Sequence, residues 1–153
     1  MKIHRASSYE ELKAGIGIEL GPTEPVQITQ DQIDKFADAT GDDQWVHVDP
    51  ERAKKSQFGG TIAHGYLTIA LIPTFMQELL VTSNSRMTVN YEIEKMRFGE
   101  PVLVNDSLQL RAKILEVKQL RQITRMRMET VLDIVDKPKP AVKGIISVLY
   151  YFE

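Results

Sequence analysis

A twenty-residue apolar window, Ile62 to Val81, is the feature of this sequence that most constrains its fold. Its length would suit a membrane span, but Pro73, Gln77 and Glu78 interrupt it, which disfavours a bilayer as its surroundings. A helix that is apolar on nearly all sides is otherwise buried inside a protein. We therefore predict a central core helix from about residue 63 to residue 80, kinked at Pro73.

Two capped helices are predicted before this window. Thr29 as N-cap, with Gln32 three residues later, predicts a capping box, and Gly41 supplies a left-handed stop, so the first helix lies between Thr29 and Gly41. Asp49 as N-cap, followed by Pro50 at the first helical position, predicts a short second helix.

After Ser85 the hydrophobic period changes from that of a helix to that of a strand. The face of Met87, Val89, Tyr91 and Ile93 is predicted to be buried. Further strands are predicted at residues 16–20, 107–117, 122–134 and 141–152, with a hairpin turn at 118–121. The predicted fold class is α+β, an antiparallel sheet of about five strands wrapped on the long helix, in one domain of residues 1–153.

The chain contains no cysteine and three histidines, and its 19 basic and 21 acidic residues give a net charge of −2. Without thiols there is no disulfide framework, no cysteine-ligated zinc or iron–sulfur site and no cysteine nucleophile. Charges of both signs are mixed along the chain, which provides no broad basic field for nucleic acid or an anionic membrane. The polar start lacks the apolar stretch of a secretory signal, so we expect a cytoplasmic protein without nucleic-acid or membrane partners.

A short segment between the two capped helices, Gly41 to Pro50, concentrates residues that can carry chemistry. Asp42 follows the helix end, His47 lies five residues further on, and the only tryptophan, Trp45, stands between them. A carboxylate and an imidazole on one irregular segment can converge on a single water or proton, as general base catalysis requires. The same spacing also fits a solvated turn with a half-buried packing histidine, and spacing alone leaves both interpretations open.

A second informative segment, Phe58 to Tyr66, precedes and opens the apolar helix. A helix N-terminus offers unpaired backbone N–H groups and the positive end of the helix dipole, and Gly65 would let a ligand oxygen approach that backbone closely. Such a position suits a developing oxyanion. The alternative, a tight packing joint with His64 as a hydrogen-bonded core histidine, also stays open.

Taken together, the two segments resemble a known family. The matching stretches are Phe36-Ala-Asp-Ala-Thr-Gly-Asp42, Val46-His-Val-Asp-Pro50 and Ile62-Ala-His-Gly65. In this order, ahead of a long apolar helix, they resemble the MaoC-like dehydratases and (R)-specific enoyl-CoA hydratases, including the NodN-like subgroup. The resemblance implies a hotdog fold, and such domains commonly pair edge to edge as homodimers.

The resemblance also implies a reaction and its catalytic residues. The catalytic aspartate and histidine of the family fall on Asp42 and His47, which would hold the water that adds to the β-carbon of a trans-2-enoyl thioester. The oxyanion donor falls on the backbone N–H of Gly65. The substrate would be an acyl thioester of coenzyme A, and no metal or separate cofactor is expected.

Five further residues are expected around the substrate: Gln44, Trp45, His64, Asn90 and Tyr91. The family's usual Asn-Pro between aspartate and histidine is Gln44-Trp45 here. Gln44 can still supply an amide, whereas the larger Trp45 would reshape the pocket mouth. His64 would brace the loop before the helix. Asn90 and Tyr91 would line the acyl tunnel, with a solvent-facing Asn90 and a core Tyr91 as the alternative.

Two other functions stay open beside hydration. A hotdog thioesterase would use a carboxylate to activate water at the thioester carbonyl, although the spacing of Asp42 and His47 and the His64-Gly65 element argue against it. A non-catalytic acyl-thioester-binding module would keep the fold without the reaction, and tryptophan in place of the family's proline favours that interpretation.

Overall fold

The computed structural model describes residues 1–153 and contains five helices and eight strands. The helices are α1 (Tyr9–Ala14), α2 (Gln30–Thr40), α3 (Trp45–Val48), α4 (Pro50–Lys54) and α5 (Gly65–Leu79). The strands are β1 (His4–Ala6), β2 (Glu19–Leu20), β3 (Val26–Gln27), β4 (Leu80–Thr82), β5 (Ser85–Phe98), β6 (Ser107–Leu120), β7 (Ile123–Ile134) and β8 (Val142–Phe152). None of the helices combines the length and the apolar character that a membrane span needs.

The main sheet is antiparallel, with strand order β2-β6-β7-β8-β5, and β3 pairs with a separate part of β6. The short strands β1 and β4 form a small parallel pair beside it. Because helices and an antiparallel sheet occupy separate parts of the chain, the predicted α+β class is confirmed.

Helix α5 lies at the centre of the hydrophobic core. Its buried residues are Leu67, Thr68, Ile72, Phe75, Met76 and Leu79. Side chains from β7 and β8, such as Met126, Met128 and Val148, belong to the same core cluster, so the long helix packs against the inner face of the sheet. The helix begins two residues later than predicted and continues through Pro73, which is exposed.

The hairpin of β6 and β7 turns later than the sequence indicates. β6 runs to Leu120 and β7 begins at Ile123, so the turn consists of Arg121 and Gln122 instead of residues 118–121. Arg121 adopts a left-handed conformation with φ of 58°. No glycine or asparagine marks this turn, which is why the pattern misplaced it.

Strand β5 differs most from its prediction, because both of its faces are open. Four apolar side chains are each between 37% and 59% exposed: Met87, Val89, Tyr91 and Ile93. β5 is an edge strand that pairs with β8 alone, and a register irregularity between Asn90 and Glu92 interrupts its alternation. Alternation shows which side chains share a face but not whether anything covers it. The prediction of a buried face is therefore wrong for the single chain.

Candidate active site

The segment that carries Asp42 is fixed by the end of helix α2. The Thr29 side chain caps the start of this helix by accepting from the backbone N–H of Gln32 (3.2 Å). At the other end Gly41 adopts φ of 81° and donates its N–H to the Ala37 carbonyl, so the chain turns sharply into Asp42. The half-buried Asp42 therefore lies on a short loop held by a capped helix.

His47 lies in the one-turn helix α3 and is 8% exposed. Its Nδ1 is 2.7 Å from the Ile62 carbonyl oxygen. Because a carbonyl oxygen can only accept, Nδ1 must carry a hydrogen and donate it, so in the neutral ring the acceptor is Nε2. The backbone thus selects the tautomer in which His47 can take a proton at Nε2.

The structure brings Asp42 and His47 together with a third residue, His64. Ligand atoms of all three side chains lie within 4.8 Å of one another. The His47 and His64 rings stack with their centroids 3.9 Å apart and their planes at 24°. The result is one compact cluster of a carboxylate and two imidazoles, two of its members buried.

The same three residues are of types that bind divalent metals, but their arrangement does not suit one ion. Imidazole binds a metal through a lone pair in the ring plane, at about 2.0–2.1 Å. The stacked rings of His47 and His64 lie in nearly parallel planes, so their lone pairs run side by side instead of converging. The geometry favours proton chemistry at this cluster over metal ligation.

Helix α5 begins at Gly65, directly after the cluster residue His64. The first backbone N–H groups of a helix have no acceptor within it, and no turn or loop hydrogen bond uses the N–H of Gly65. A small apolar cavity of about 280 Å³ lies alongside, lined in part by Gly65, Phe98 and Val102. The start of α5 therefore offers free N–H groups beside an apolar space, as a developing oxyanion requires.

The side chain of Gln30 hydrogen-bonds to the segments that carry the cluster, and no sequence pattern indicated this role. Its side-chain Oε1 accepts from the Thr61 hydroxyl (2.5 Å), and its Nε2 donates to the His47 carbonyl (2.8 Å). One glutamine therefore joins helix α2 to α3 and to the loop before α5. The sequence carries no signal for this role, because Gln30 and Gln32 look alike in the first turn of one helix.

The two residues that replace the family's Asn-Pro lie at the start of α3. Gln44 is exposed, and its backbone carbonyl accepts from the N–H of His47 (2.9 Å), whereas its side chain caps nothing. Trp45 is half-buried, and the Arg52 guanidinium lies over the Trp45 ring, 4.3 Å from the ring centroid. Trp45 therefore contacts helix α4 on at least one side.

Asn90 and Tyr91 lie on β5, facing helix α5 across two cavities. The first, of about 500 Å³, includes Asn90 and Tyr150 in its lining, and the second, of about 440 Å³, includes Asn90 and Tyr91. Both cavities share Pro73 and Asn90, so they follow one another along the helix, and neither is lined by Asp42 or His47. Burial raises the pKa of Tyr150 well above its usual value, so its phenol stays protonated.

Comparison with known proteins gives consistent matches across most of the chain. Residues 12–135 match the family described as MaoC like domain. The chain is 38% identical over 135 residues to 3-hydroxyacyl-thioester dehydratase Z of Mycobacterium tuberculosis, covering 88% of this chain and 89% of that protein. It is 35% identical over 137 residues to Nodulation protein N of Rhizobium meliloti, covering 88% and 85%.

Solved structures share the same fold. The R-hydratase PhaJ1 from Pseudomonas aeruginosa aligns with a TM-score of 0.73 and 27% identity, covering 96% of this chain and 87% of that one. The (R)-hydratase from A. caviae, described as involved in PHA biosynthesis, aligns with a TM-score of 0.71 at 20% identity, covering 87% and 94%.

Proposed function

Because the chain belongs to the MaoC-like family of dehydratases, we propose that it is an (R)-specific enoyl-CoA hydratase of fatty acid metabolism. The enzyme adds water reversibly across the double bond of a trans-2-enoyl-CoA and forms the (R)-3-hydroxyacyl-CoA. Its relatives include a protein named as a 3-hydroxyacyl-thioester dehydratase and structures named as (R)-hydratases. The observation that supports the proposal most is that Asp42 and His47 lie in one cluster with His64, the residue directly before Gly65.

Water activation rests on Asp42 and His47. Water is a poor nucleophile, so it must be oriented and must lose a proton as its oxygen bonds to the β-carbon. His47 Nε2 is the free acceptor for that proton, because Nδ1 donates to the Ile62 carbonyl. The same carbonyl stabilises the imidazolium that forms, and the Asp42 carboxylate orients the water beside it.

The backbone N–H of Gly65 stabilises the enolate. As the C–O bond forms, the electrons of the double bond move towards the thioester, and negative charge develops on its oxygen. An N–H at the positive end of α5 binds that charge more strongly in the transition state than in the substrate. The proton taken from water returns to the α-carbon from the same side, so the addition is syn and needs no metal or redox cofactor.

The acyl chain occupies the cavities between α5 and strands β5 and β8. These cavities share Pro73 and Asn90 and follow the helix away from its N-terminus. Asn90 and Tyr91 line this path. In this proposal Trp45 and Gln44 would border its entrance on the side of Asp42 and His47. Coenzyme A enters only as part of the substrate, and the reaction takes place in the cytoplasm.

The active form is a homodimer joined along β5. This strand is fourteen residues long, has a free edge and carries exposed apolar side chains on both faces. Long unpaired apolar edges are normally covered, since they otherwise pair with other chains. A second copy of β5 satisfies the free backbone groups and buries those side chains.

Incubation with crotonyl-CoA tests this function against its alternatives. We expect the absorbance of the conjugated enoyl group to fall without release of free thiol, and the product to be the (R)-3-hydroxy thioester. Thiol release would instead identify a thioesterase. No reaction with short or long enoyl thioesters would favour a non-catalytic binding module.

A further inference from the structure

The side chain of His64 contacts both catalytic elements from the protein interior. It is only 2% exposed, so it presents almost no surface to a substrate. Its Nε2 lies 2.8 Å from the backbone carbonyl oxygen of Asp42, to which it must donate a hydrogen. The second ring nitrogen, Nδ1, is buried and has no hydrogen-bond partner.

The ring of His64 also fixes the orientation of His47. It stacks on the His47 ring at 3.9 Å between centroids, and Phe36 of helix α2 packs on it at 4.9 Å. His47 is thus held at its edge by the Ile62 carbonyl and on its face by His64. Each contact removes one way in which the catalytic imidazole could turn.

His64 is also joined directly to helix α5, by the polypeptide backbone. His64 is the N-cap residue of α5, immediately before Gly65, and its carbonyl accepts from the N–H of Thr68 (3.2 Å). A displacement of its ring would therefore move the carboxylate loop, the imidazole and the helix start relative to one another. Such small displacements matter, because misplacing reacting groups by about 1 Å can cost 10²-fold in rate.

We propose that His64 is a positioning residue that sets Asp42 and His47 at a fixed distance from the Gly65 N–H. The inference rests on the proposed hydratase function and adds a residue that acts through others without touching the substrate. A purely structural role would be served better by an apolar ring, because the buried Nδ1 without a partner costs stability. An apolar ring could not donate the hydrogen bond that His64 Nε2 makes to the Asp42 carbonyl, so this bond is the feature that the imidazole provides.

Two amide variants separate the donor from the rest of the side chain. The amide nitrogen of His64→Gln reaches the place of Nε2 and can still donate to the Asp42 carbonyl. His64→Asn carries the same amide one methylene shorter, at the place of Nδ1, and cannot reach that carbonyl. We expect the Asn variant to lower kcat for crotonyl-CoA by about 10–100-fold with KM nearly unchanged, and the Gln variant to recover about tenfold of that loss.

A double-substitution cycle distinguishes positioning from a general structural effect. When Asp42→Asn has already removed the catalytic carboxylate, His64→Asn should lower kcat much less than it does in the wild type. A full, independent loss in that background would overturn the proposal. Equal activities of the Gln and Asn variants, with both folded by circular dichroism, would overturn it as well.

The two proposals fail in different ways. A folded wild-type chain that hydrates no enoyl thioester would overturn the hydratase function and the role of His64 together. An active wild type whose Gln and Asn variants behave alike would overturn the role of His64 alone. If His64→Asn does not fold, His64→Phe keeps the stacked ring without the donor and is compared with the Gln variant in the same assay.

Discussion

The ring of Phe98 lies against the Cα of Gly65, so closely that a Cβ on residue 65 would stand 2.6 Å from Phe98 Cε1. Phe98 is the last residue of β5, and its ring also meets Tyr66 edge-on at 5.7 Å between centroids. The end of the edge strand therefore packs on the helix start that carries the proposed oxyanion donor. Any side chain at residue 65 would therefore require the Phe98 ring to move.

Gly65→Ala is expected to lower kcat for crotonyl-CoA by about 10²–10³-fold, the loss typical of a displaced oxyanion donor. The added methyl group would push against the Phe98 ring and shift the start of α5. If this clash is the cause, the double variant Gly65→Ala, Phe98→Leu should recover part of the lost rate. Steady-state kinetics would decide, and an unimproved double variant would mean that the glycine is needed for another reason.

Asp42→Asn and His47→Gln should each reduce kcat by about 10²–10⁴-fold, because each removes a group that orients or deprotonates water. Asp43→Asn provides the matched control, since Asp43 is the neighbouring carboxylate and is exposed. We expect that control to stay within about twofold of the wild type, as surface substitutions usually do. Near-normal hydration by either site variant would contradict the assignment of the pair.

The sequence predicted the fold class and the family because both depend on local signals. Caps at Thr29 and Gly41 and the apolar run of α5 act within a few residues, and the structure confirms each of them. A complete capping box would also need the Gln32 side chain to accept a hydrogen bond from the backbone N–H of Thr29. The structure has no such bond, and Gln32 contributes only its backbone N–H. The match to the MaoC-like family spans residues 12–135 and so includes all three stretches on which the resemblance was based.

Long-range contacts were beyond the reach of the sequence. The stack of His47 on His64 joins residues seventeen positions apart, and Gln30 reaches Thr61 across thirty-one positions. No periodicity reports such contacts, because they depend on how α2, α3 and the loop before α5 pack in space. The open faces of β5 were missed for the same reason.

Gln30→Ala should lower the free energy of unfolding by about 1–3 kcal/mol, the cost of leaving buried polar groups without partners. The Thr61 hydroxyl and the His47 carbonyl would both lose the hydrogen bonds that Gln30 makes. Gln32→Ala is the control, because its side chain makes no hydrogen bond in the structure, and it should change the free energy by less than about 0.5 kcal/mol. Urea denaturation measures both, and equal effects would contradict the role of Gln30.

Lowering the pH should weaken the ion pair that joins Glu94 on β5 to Arg127 on β7. Arg127 forms a bidentate ion pair with Glu94 (2.6 and 3.0 Å) across the intervening strand β8, and its hydrogen bonds hold the pKa of Glu94 below the usual value. A lowered pKa contributes stability above the ordinary glutamate range, and that contribution is lost as the pH falls through the lowered pKa.

Glu94→Gln should therefore be less stable than the wild type at neutral pH, and the difference should shrink as the pH falls. Denaturation with urea at several pH values measures this. Glu92→Gln on the same strand is the control, because Glu92 forms no ion pair within 4 Å and should show no such convergence. A constant difference between Glu94→Gln and the wild type at all pH values would contradict the ion-pair explanation.

Ile93→Lys should convert the proposed dimer into a monomer. Ile93 is 57% exposed on the free edge strand, and a second copy of β5 would bury it, so a charge there would have to be desolvated at the interface. Leu120→Lys is a matched control, because Leu120 is 46% exposed at the hairpin end of β6, away from that edge. Analytical ultracentrifugation should find a dimer for the wild type and for Leu120→Lys but a monomer for Ile93→Lys. A monomeric wild type at micromolar concentrations would contradict the homodimer. The exposed faces of β5 would then have to be covered by a different partner, because a long apolar edge strand tends to pair with another chain.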